Sequence, residues 1–420
     1  MTQDTHGNND CNNDCNNVRS NARDNAPNRK NRRVLILGAG AVGLSFAGKI
    51  SENCEVFVVC RNRHATAIKN RGLVMKGVWG DRTVRDIAVF SSYEELSAAI
   101  AAESEGAGKM SDGVAGENDG SGENDGSGYG HIFDYVFITS KSSDTEGLCR
   151  EYSPMFGGAV LVSLQNGIGN EEIMRKYTGE SAVFGATITT NFQSEGDGCV
   201  TVKSESEPLK IGVYPENGSA GAGSLEKLAD IVAVIERSGI KVEAADSIRT
   251  AIWEKSLLNI AVNPLTALFR VNVGALSDEQ TRAVITGIIN ETFEVIAAEG
   301  VKVRWETAAE YLDYLFNYLI PSFSAVYTSM YQDVTGGRHS EIESINGAVV
   351  RLGKIHGIKT PYNECICRLI RFTDAKNDKN RGERFCRYFA AILLYVISVI
   401  VIFGNVILPC RRGNRSFRLL

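Results

Sequence analysis

The stretch Arg33-Val-Leu-Ile-Leu-Gly-Ala-Gly-Ala-Val-Gly-Leu44 joins an aliphatic run to glycines at positions 38, 40 and 43. Read as strand, tight turn and helix, each glycine has its own physical reason. Gly38 permits the turn, Gly40 lets the backbone approach a pyrophosphate, and Gly43 lets the helix pack closely on the sheet. The free N–H groups and positive dipole end at the helix start then face the phosphates. G-x-G-x-x-G alone is a weak signal. Here a second β-rich run, Glu55-Val-Phe-Val-Val-Cys60, follows at the length a βαβ unit requires. An α/β chain with an N-terminal Rossmann-type dinucleotide-binding domain over residues 33–245 is expected.

The end of that second strand selects the cofactor. An acidic residue there would accept from the ribose 2′-hydroxyl of NAD, whereas this chain has Arg61 and then Arg63. A guanidinium binds a 2′-phosphate through charge-assisted bonds, so NADP(H) is favoured; the alternative is that both arginines are merely exposed. Two further strands, Phe133–Thr139 and Ala159–Leu164, deliver Lys141 and the turn Gln165-Asn-Gly-Ile-Gly169. Ligands in an open parallel sheet sit beyond the carboxyl ends of the strands, which places Lys141 and Asn166 near the nicotinamide half. Asn-Gly is also an ordinary turn signal.

The whole chain bounds the possibilities. Its 420 residues, 43% hydrophobic and 23% charged, suit a globular protein of two domains. A formal net charge of -5 and the lack of a basic stripe exclude nucleic acid as the main partner. The ten cysteines are scattered, without the paired spacing of a zinc site, and read as reduced cytosolic thiols. No metal is expected, and nothing here specifies an oligomeric state.

Three segments look foreign to a compact core. Residues 1–32 are rich in Asn, Asp and Arg, with almost nothing apolar, and read as a disordered tail. Residues 104–130 carry a tandem GENDGS repeat at Gly116–Ser121 and Gly122–Ser127, whose composition suits a flexible insertion and whose spacing does not fit a calcium loop. Tyr388 to Cys410 is an uncharged apolar run of 23 residues, long enough to span a bilayer. We read it as a candidate transmembrane anchor that leaves the domains on the cytoplasmic side; a buried terminal helix, or a tail read out of frame, is the alternative.

From Ser247 the pattern changes to long amphipathic stretches, including Glu279–Glu299, Glu306–Tyr318 and Ile342–His356, which implies a mostly α-helical second domain over residues 246–380. Its first segment, Trp253-Glu-Lys-Ser-Leu-Leu-Asn-Ile-Ala-Val-Asn-Pro-Leu-Thr-Ala267, sets Lys255, Asn259 and Asn263 four residues apart. On a helix they share one face. A cation and two amides in an apolar segment must meet something polar: a small substrate, or else backbone and water. Further on, Thr328-Ser-Met-Tyr-Gln-Asp333 and His339-Ser-Glu-Ile-Glu-Ser-Ile-Asn-Gly347 lie between helices. The second puts Glu341 at an expected helix start, where the dipole favours a carboxylate.

From about Arg33 to about Arg371 the chain resembles the ketopantoate reductase, or 2-dehydropantoate 2-reductase, family. The resemblance rests on GAGAVG, the Lys141 strand end, the LQNG turn at Leu164–Gly167, the W-x-K-x-x-x-N-x-x-x-N-P-L-T-A block, S-M-x-Q-D and R-H-x-E-I-E-x-I-N-G. It implies NADPH-dependent reduction of 2-dehydropantoate to (R)-pantoate, a step of pantothenate and coenzyme A synthesis. By that resemblance Lys255 falls on the proton donor, and Asn259, Asn263 and Ser329 on substrate-binding positions. Asn166 and Lys141 match positions lining nicotinamide and substrate, Glu341 a catalytic carboxylate that closes the site, and Arg61 the position reading the 2′-phosphate. An ammonium at Lys255 would stabilise negative charge on the C2 oxygen and supply the proton.

One departure concerns the substrate. Where some members place an Asn before the Gly of Phe269-Arg-Val-Asn-Val-Gly274, this chain has Val273, with Asn272 preceding it. Two other readings remain open: an NADP-dependent reductase of another branched 2-oxo acid, and a membrane-tethered NADPH-binding sensor. A sensor has no use for a proton donor.

Overall fold

A computed structural model of the chain describes residues 32–108, 131–179, 181–216 and 223–378. The expected tail apart from Arg32, most of the expected insertion, and the run 388–410 lie outside the described residues. The helix Tyr93–Gly108 extends into the stretch read as a loop from residue 104. Among the described residues no helix is long and apolar enough to cross a membrane.

The strands in chain order are β1 (Arg33–Leu37), β2 (Glu55–Val59), β3 (Leu73–Gly77), β4 (Arg82–Val84), β5 (Ile87–Phe90), β6 (Tyr135–Ile138), β7 (Val160–Ser163), β8 (Val183–Thr187), β9 (Asn191–Gly196), β10 (Cys199–Ser204), β11 (Leu209–Tyr214) and β12 (Val242–Ala244). Eight of them form one sheet in the order β12-β11-β8-β7-β6-β1-β2-β5. Every neighbouring pair is parallel except β8 with β11. The chain runs outward from β1 through β2 to β5, then crosses back to β6 on the other side of β1. The strand order therefore reverses between β1 and β6, which is where an open α/β sheet forms a ligand crevice. Gly38 and Lys141 emerge at that point.

The central strands read as unbroken apolar runs because both of their faces are covered. In β1, Val34 and Ile36 pack into one core with Val56, Val58 and the helix Ala41–Ile50. Leu35 and Leu37 pack into the other with Phe57, and that core continues into Trp253, Leu257 and Ile260 of the helical half. One sheet face is thus shared between the two halves of the molecule.

The sequence reading missed a second sheet, β4-β3-β10-β9. β4 has three residues and β9 is largely exposed, so apolar periodicity hardly marks these two, and the alternation of β3 and β10 alone does not pair them. Val200 and Val202 of β10 pack with Met75 and Phe46 against the helix that follows β1.

The helical half is organised by the helix Ile248–Phe269. Ser247 caps it, its hydroxyl accepting from the Thr250 N–H at 3.0 Å, and Arg270 ends it with φ +58°. Pro264 inside this helix has no N–H for the Ile260 carbonyl one turn back. Asn346 makes good the loss: its Nδ2 donates to the Ile260 carbonyl oxygen at 3.1 Å and to Asn363 Oδ1 at 3.0 Å. Asn363 in turn donates to Glu291 Oε2 at 2.8 Å. This buried amide chain ties four helices together.

Two expected helices differ in detail. Beyond Ala308–Tyr314 the backbone widens into a π-turn at Leu315–Leu319. Ahead of the helix Asn346–His356 lies a separate 3-10 turn, Ile342–Ser344. Glu341 therefore precedes only a short turn, and the expectation of a helix-start acid is corrected: its carboxylate is engaged elsewhere.

Candidate active site

At the dinucleotide turn the three glycines differ in what surrounds them. Gly38 has φ +112°, and a β carbon there would lie 2.6 Å from the Ser140 nitrogen. A β carbon on Gly43 would lie 2.1 Å from the Gly38 carbonyl oxygen and 2.3 Å from Thr139 Oγ1. At Gly40, which opens the helix Ala41–Ile50, nothing lies within 4 Å of that point. The open space is beside the backbone at the helix N-terminus, where N–H groups lack helical partners. A diphosphate fits there.

Arg61 is exposed at the end of the β2 segment, as the residue before the helix Asn62–Arg71. It makes no ion pair among the described residues. Arg63 is different, with its Nε 3.2 Å from Asp197 Oδ1.

Two lysines cross between the halves of the molecule in opposite directions. Lys141, just past β6, sends its Nζ to Asp333 Oδ2 at 2.6 Å and Glu341 Oε2 at 3.3 Å. Burial works against this ammonium, but the carboxylates of Glu341 and Asp333 outweigh it and raise the pKa above the ordinary lysine value. Asp333, 5% exposed, also accepts from Arg338 Nε at 2.9 Å. Lys255, on the long helix, sends its Nζ to Asn166 Oδ1 at 2.8 Å. Protein surrounds the end of this side chain while part of the residue still faces the cleft. Burial pushes its pKa down to about 8, against the pull of the Glu341 carboxylate. Glu341 thus acts on both lysines.

The turn carrying Asn166 is held from both halves. Gly167 has φ +94°, and a β carbon there would lie 2.5 Å from Ser344 Oγ. The Ile168 N–H donates to the Ser344 carbonyl oxygen at 2.7 Å, and Asn170 Nδ2 donates to the Asn166 carbonyl oxygen at 3.1 Å. Gln165 Nε2 donates to the Ser140 carbonyl oxygen at 2.9 Å, which locks this turn to the Lys141 segment.

Asn259 and Asn263 follow Lys255 on the same helix face, and neither side-chain amide hydrogen-bonds a protein group among the described residues. Ser329 is brought to the end of that face by the Thr266–Thr328 hydroxyl contact of 2.7 Å. Thr328 caps the short helix Ser329–Thr335, accepting from the Tyr331 N–H. Asn272 lies elsewhere in role: its Oδ1 caps a 3-10 turn by accepting from the Ala275 N–H at 3.2 Å, while Val273 is buried.

Sequence reasoning gave no role to Asp333, Arg338, Ser344 or Gln165. Asp333 sits one helical turn beyond Ser329, so its face was legible, but its partner is 192 residues away in the chain.

A Rossmann-type switch point with an open glycine turn beside it, and a lysine–amide pair joining the two halves, are an arrangement suited to a nicotinamide-dependent oxidoreductase. The comparisons carry this to a family. Residues 34–216 match the model described as "Ketopantoate reductase PanE/ApbA", and residues 247–374 match its C-terminal counterpart. The chain belongs to the ketopantoate reductase family and is an enzyme of that class. The 2-dehydropantoate 2-reductase of Aquifex aeolicus is 27% identical over 351 residues, covering 83% of this chain and 99% of the relative. That of Archaeoglobus fulgidus is 28% identical over 343 residues, covering 81% and 97%. The crystal structure of the PanE/ApbA family ketopantoate reductase from Ralstonia eutropha JMP134 is 27% identical, with a TM-score of 0.66, covering 82% of this chain and 99% of that one.

Proposed function

We propose that this enzyme reduces 2-dehydropantoate to (R)-pantoate with NADPH, in pantothenate and coenzyme A synthesis. The observation that carries the reading is the Lys255–Asn166 hydrogen bond of 2.8 Å, made by an ammonium whose pKa burial lowers to about 8. The Gly38–Gly43 turn would hold the cofactor's diphosphate, Arg61 its 2′-phosphate, and Lys141 and Asn166 its nicotinamide end. Bound there, NADPH supplies the hydride.

The side chains do the rest. Lys255 faces the C2 oxygen, stabilises the negative charge that develops on it and donates a proton to it. A pKa near the working pH makes that donation efficient while keeping a large fraction protonated. Asn166 holds the ammonium in place. Asn259, Asn263 and Ser329 offer hydrogen bonds to the substrate's carboxylate and hydroxyl, which fixes the face presented to the hydride. Glu341 closes the site, its charge favouring the protonated forms of Lys141 and Lys255.

A second reading, reduction of a 2-oxo acid with a less polar tail, is favoured by two observations. Val273 is buried where some family members place an Asn, and Tyr327 and Tyr331, with ring centroids 4.6 Å apart, flank Ser329.

The test is NADPH oxidation by the purified full chain with 2-dehydropantoate, 2-oxoisovalerate, phenylpyruvate and pyruvate, with NADH as control. Selective turnover of 2-dehydropantoate is expected. Faster turnover of phenylpyruvate or 2-oxoisovalerate would move the assignment to the second reading, and no turnover with any of them would sink both.

A further inference from the structure

The second sheet reaches the Arg61 end of the cofactor site proposed above. The turn between β9 and β10, Asp197-Gly198, lies against the helix Asn62–Arg71 that follows Arg61. A β carbon on Gly198 would sit 2.9 Å from Ile68 Cγ1, so the turn is pressed onto the helix. The Gly198 N–H donates to His64 Nδ1 at 3.2 Å, and the Arg71 guanidinium donates to the Asp197 carbonyl oxygen.

These contacts settle the charge state around Asp197. Accepting at Nδ1 puts the proton of a neutral imidazole on Nε2, which lies 3.5 Å from Asp197 Oδ1. Burial lowers the His64 pKa, Asp197 raises it, and Arg63 and Arg61 lower it further; the net shift is downward, so the ring is neutral at pH 7. The counter-charge of Asp197 is therefore Arg63, at 3.2 Å. Arg61, two residues earlier, has no ion pair among the described residues.

We propose that Asp197 sets the preference between NADPH and NADH by holding Arg63 in an ion pair, so that Arg61 alone is free to meet the 2′-phosphate. This rests on the cofactor site assigned above. One guanidinium cannot serve a carboxylate and a phosphate dianion equally, and the carboxylate also repels the phosphate, so Asp197 acts against NADPH and is indifferent to NADH, which lacks the phosphate. The Arg63 side chain is 61% exposed and that of Asp197 39%, so water screens the pair and the effect is a tuning of affinity, not a switch.

The experiment measures KM for NADPH and NADH on the full chain and on Asp197→Asn, Asp197→Asn with Arg63→Ala, and Arg61→Ala. Asn has the shape of Asp, and of the two turn residues only Gly198 has positive φ, so Asp197→Asn keeps the fold. It is expected to lower KM for NADPH by about two- to five-fold, the scale of a screened surface pair, and to leave KM for NADH as it was. The double variant should lose the gain. An unchanged NADPH KM in Asp197→Asn, an equal change for both cofactors, or a gain that survives Arg63→Ala overturns the proposal. Arg61→Ala is the separate control: a rise in KM confined to NADPH upholds the site assignment whichever way Asp197 behaves, and an equal effect on both cofactors defeats that assignment.

Discussion

The ammonium of Lys255 donates to the side-chain oxygen of Asn166 at 2.8 Å, across the boundary between the helical half and the Rossmann-type sheet. The proposed proton donor is thus aimed by the other half of the molecule, and the donor exists as built only when the two halves are packed together.

Replacing Lys255 with Ala should lower kcat by about 10² to 10⁴-fold, the usual worth of a general acid, with NADPH binding retained. The proton is donated by the protonated amine, whose pKa is lowered to about 8. Turnover should therefore hold below that value and fall as pH rises through it. Asn166→Asp, which puts a carboxylate against the same ammonium, should move the fall to higher pH. A rate that stays level to pH 10 in the parent, or an unmoved limb in Asn166→Asp, would contradict the assignment.

Asp333 positions Lys141 and Arg338 from a site only 5% exposed. Asp333→Asn should leave Lys141 loosely held, raising KM for cofactor or substrate more than it lowers kcat, with Asp333→Glu restoring part of the loss. The stability cost should be about 1 to 3 kcal/mol, below the value for a fully buried pair because the Lys141 side chain is 41% exposed. Urea unfolding measures it, and an unchanged midpoint with unchanged KM would remove the role.

Two glycines of one motif should fail in different ways. Gly40→Ala places its methyl in open space, so the melting temperature should match the parent's while NADPH affinity falls. Gly43→Ala drives a β carbon to 2.1 Å from the Gly38 carbonyl oxygen. It should lose about 1 to 3 kcal/mol of stability or more, as overpacked sites do. Equal melting temperatures for both variants would show that the crowding at Gly43 is relieved by backbone movement.

Asn346→Ala should cost about 1 to 3 kcal/mol, because the Ile260 carbonyl and Asn363 lose a buried donor. Pro264→Ala, which returns an N–H to that carbonyl, should recover part of the loss in the Asn346→Ala background. Additive effects of the two changes would mean that the proline and the asparagine are not coupled.

The βαβ start, the long helix and the face bearing Lys255, Asn259 and Asn263 were all legible because each depends on residues close in sequence. Glu341 shows the opposite case. Its position suggested a helix-start acid, yet only a three-residue turn follows it, and its carboxylate meets Lys141 at 3.3 Å. Arg63 is similar: beside Arg61 it could be read only as one more arginine favouring NADP(H), and its partner Asp197 comes from a turn 134 residues further on, in a sheet the sequence reading missed.

By itself the sequence determined where the glycines, strand ends and polar helix face would be, since turn sterics and the 3.6-residue helical period act over a few residues. Only the tertiary structure decided which charges are satisfied and which are left for a ligand. Lys141 with Asp333, Lys255 with Asn166, and Arg63 with Asp197 are each separated by many residues. Such pairs form when apolar burial packs one sheet face against the helical half and folds the second sheet onto the first helices, and that long-range packing has no local signature in the chain.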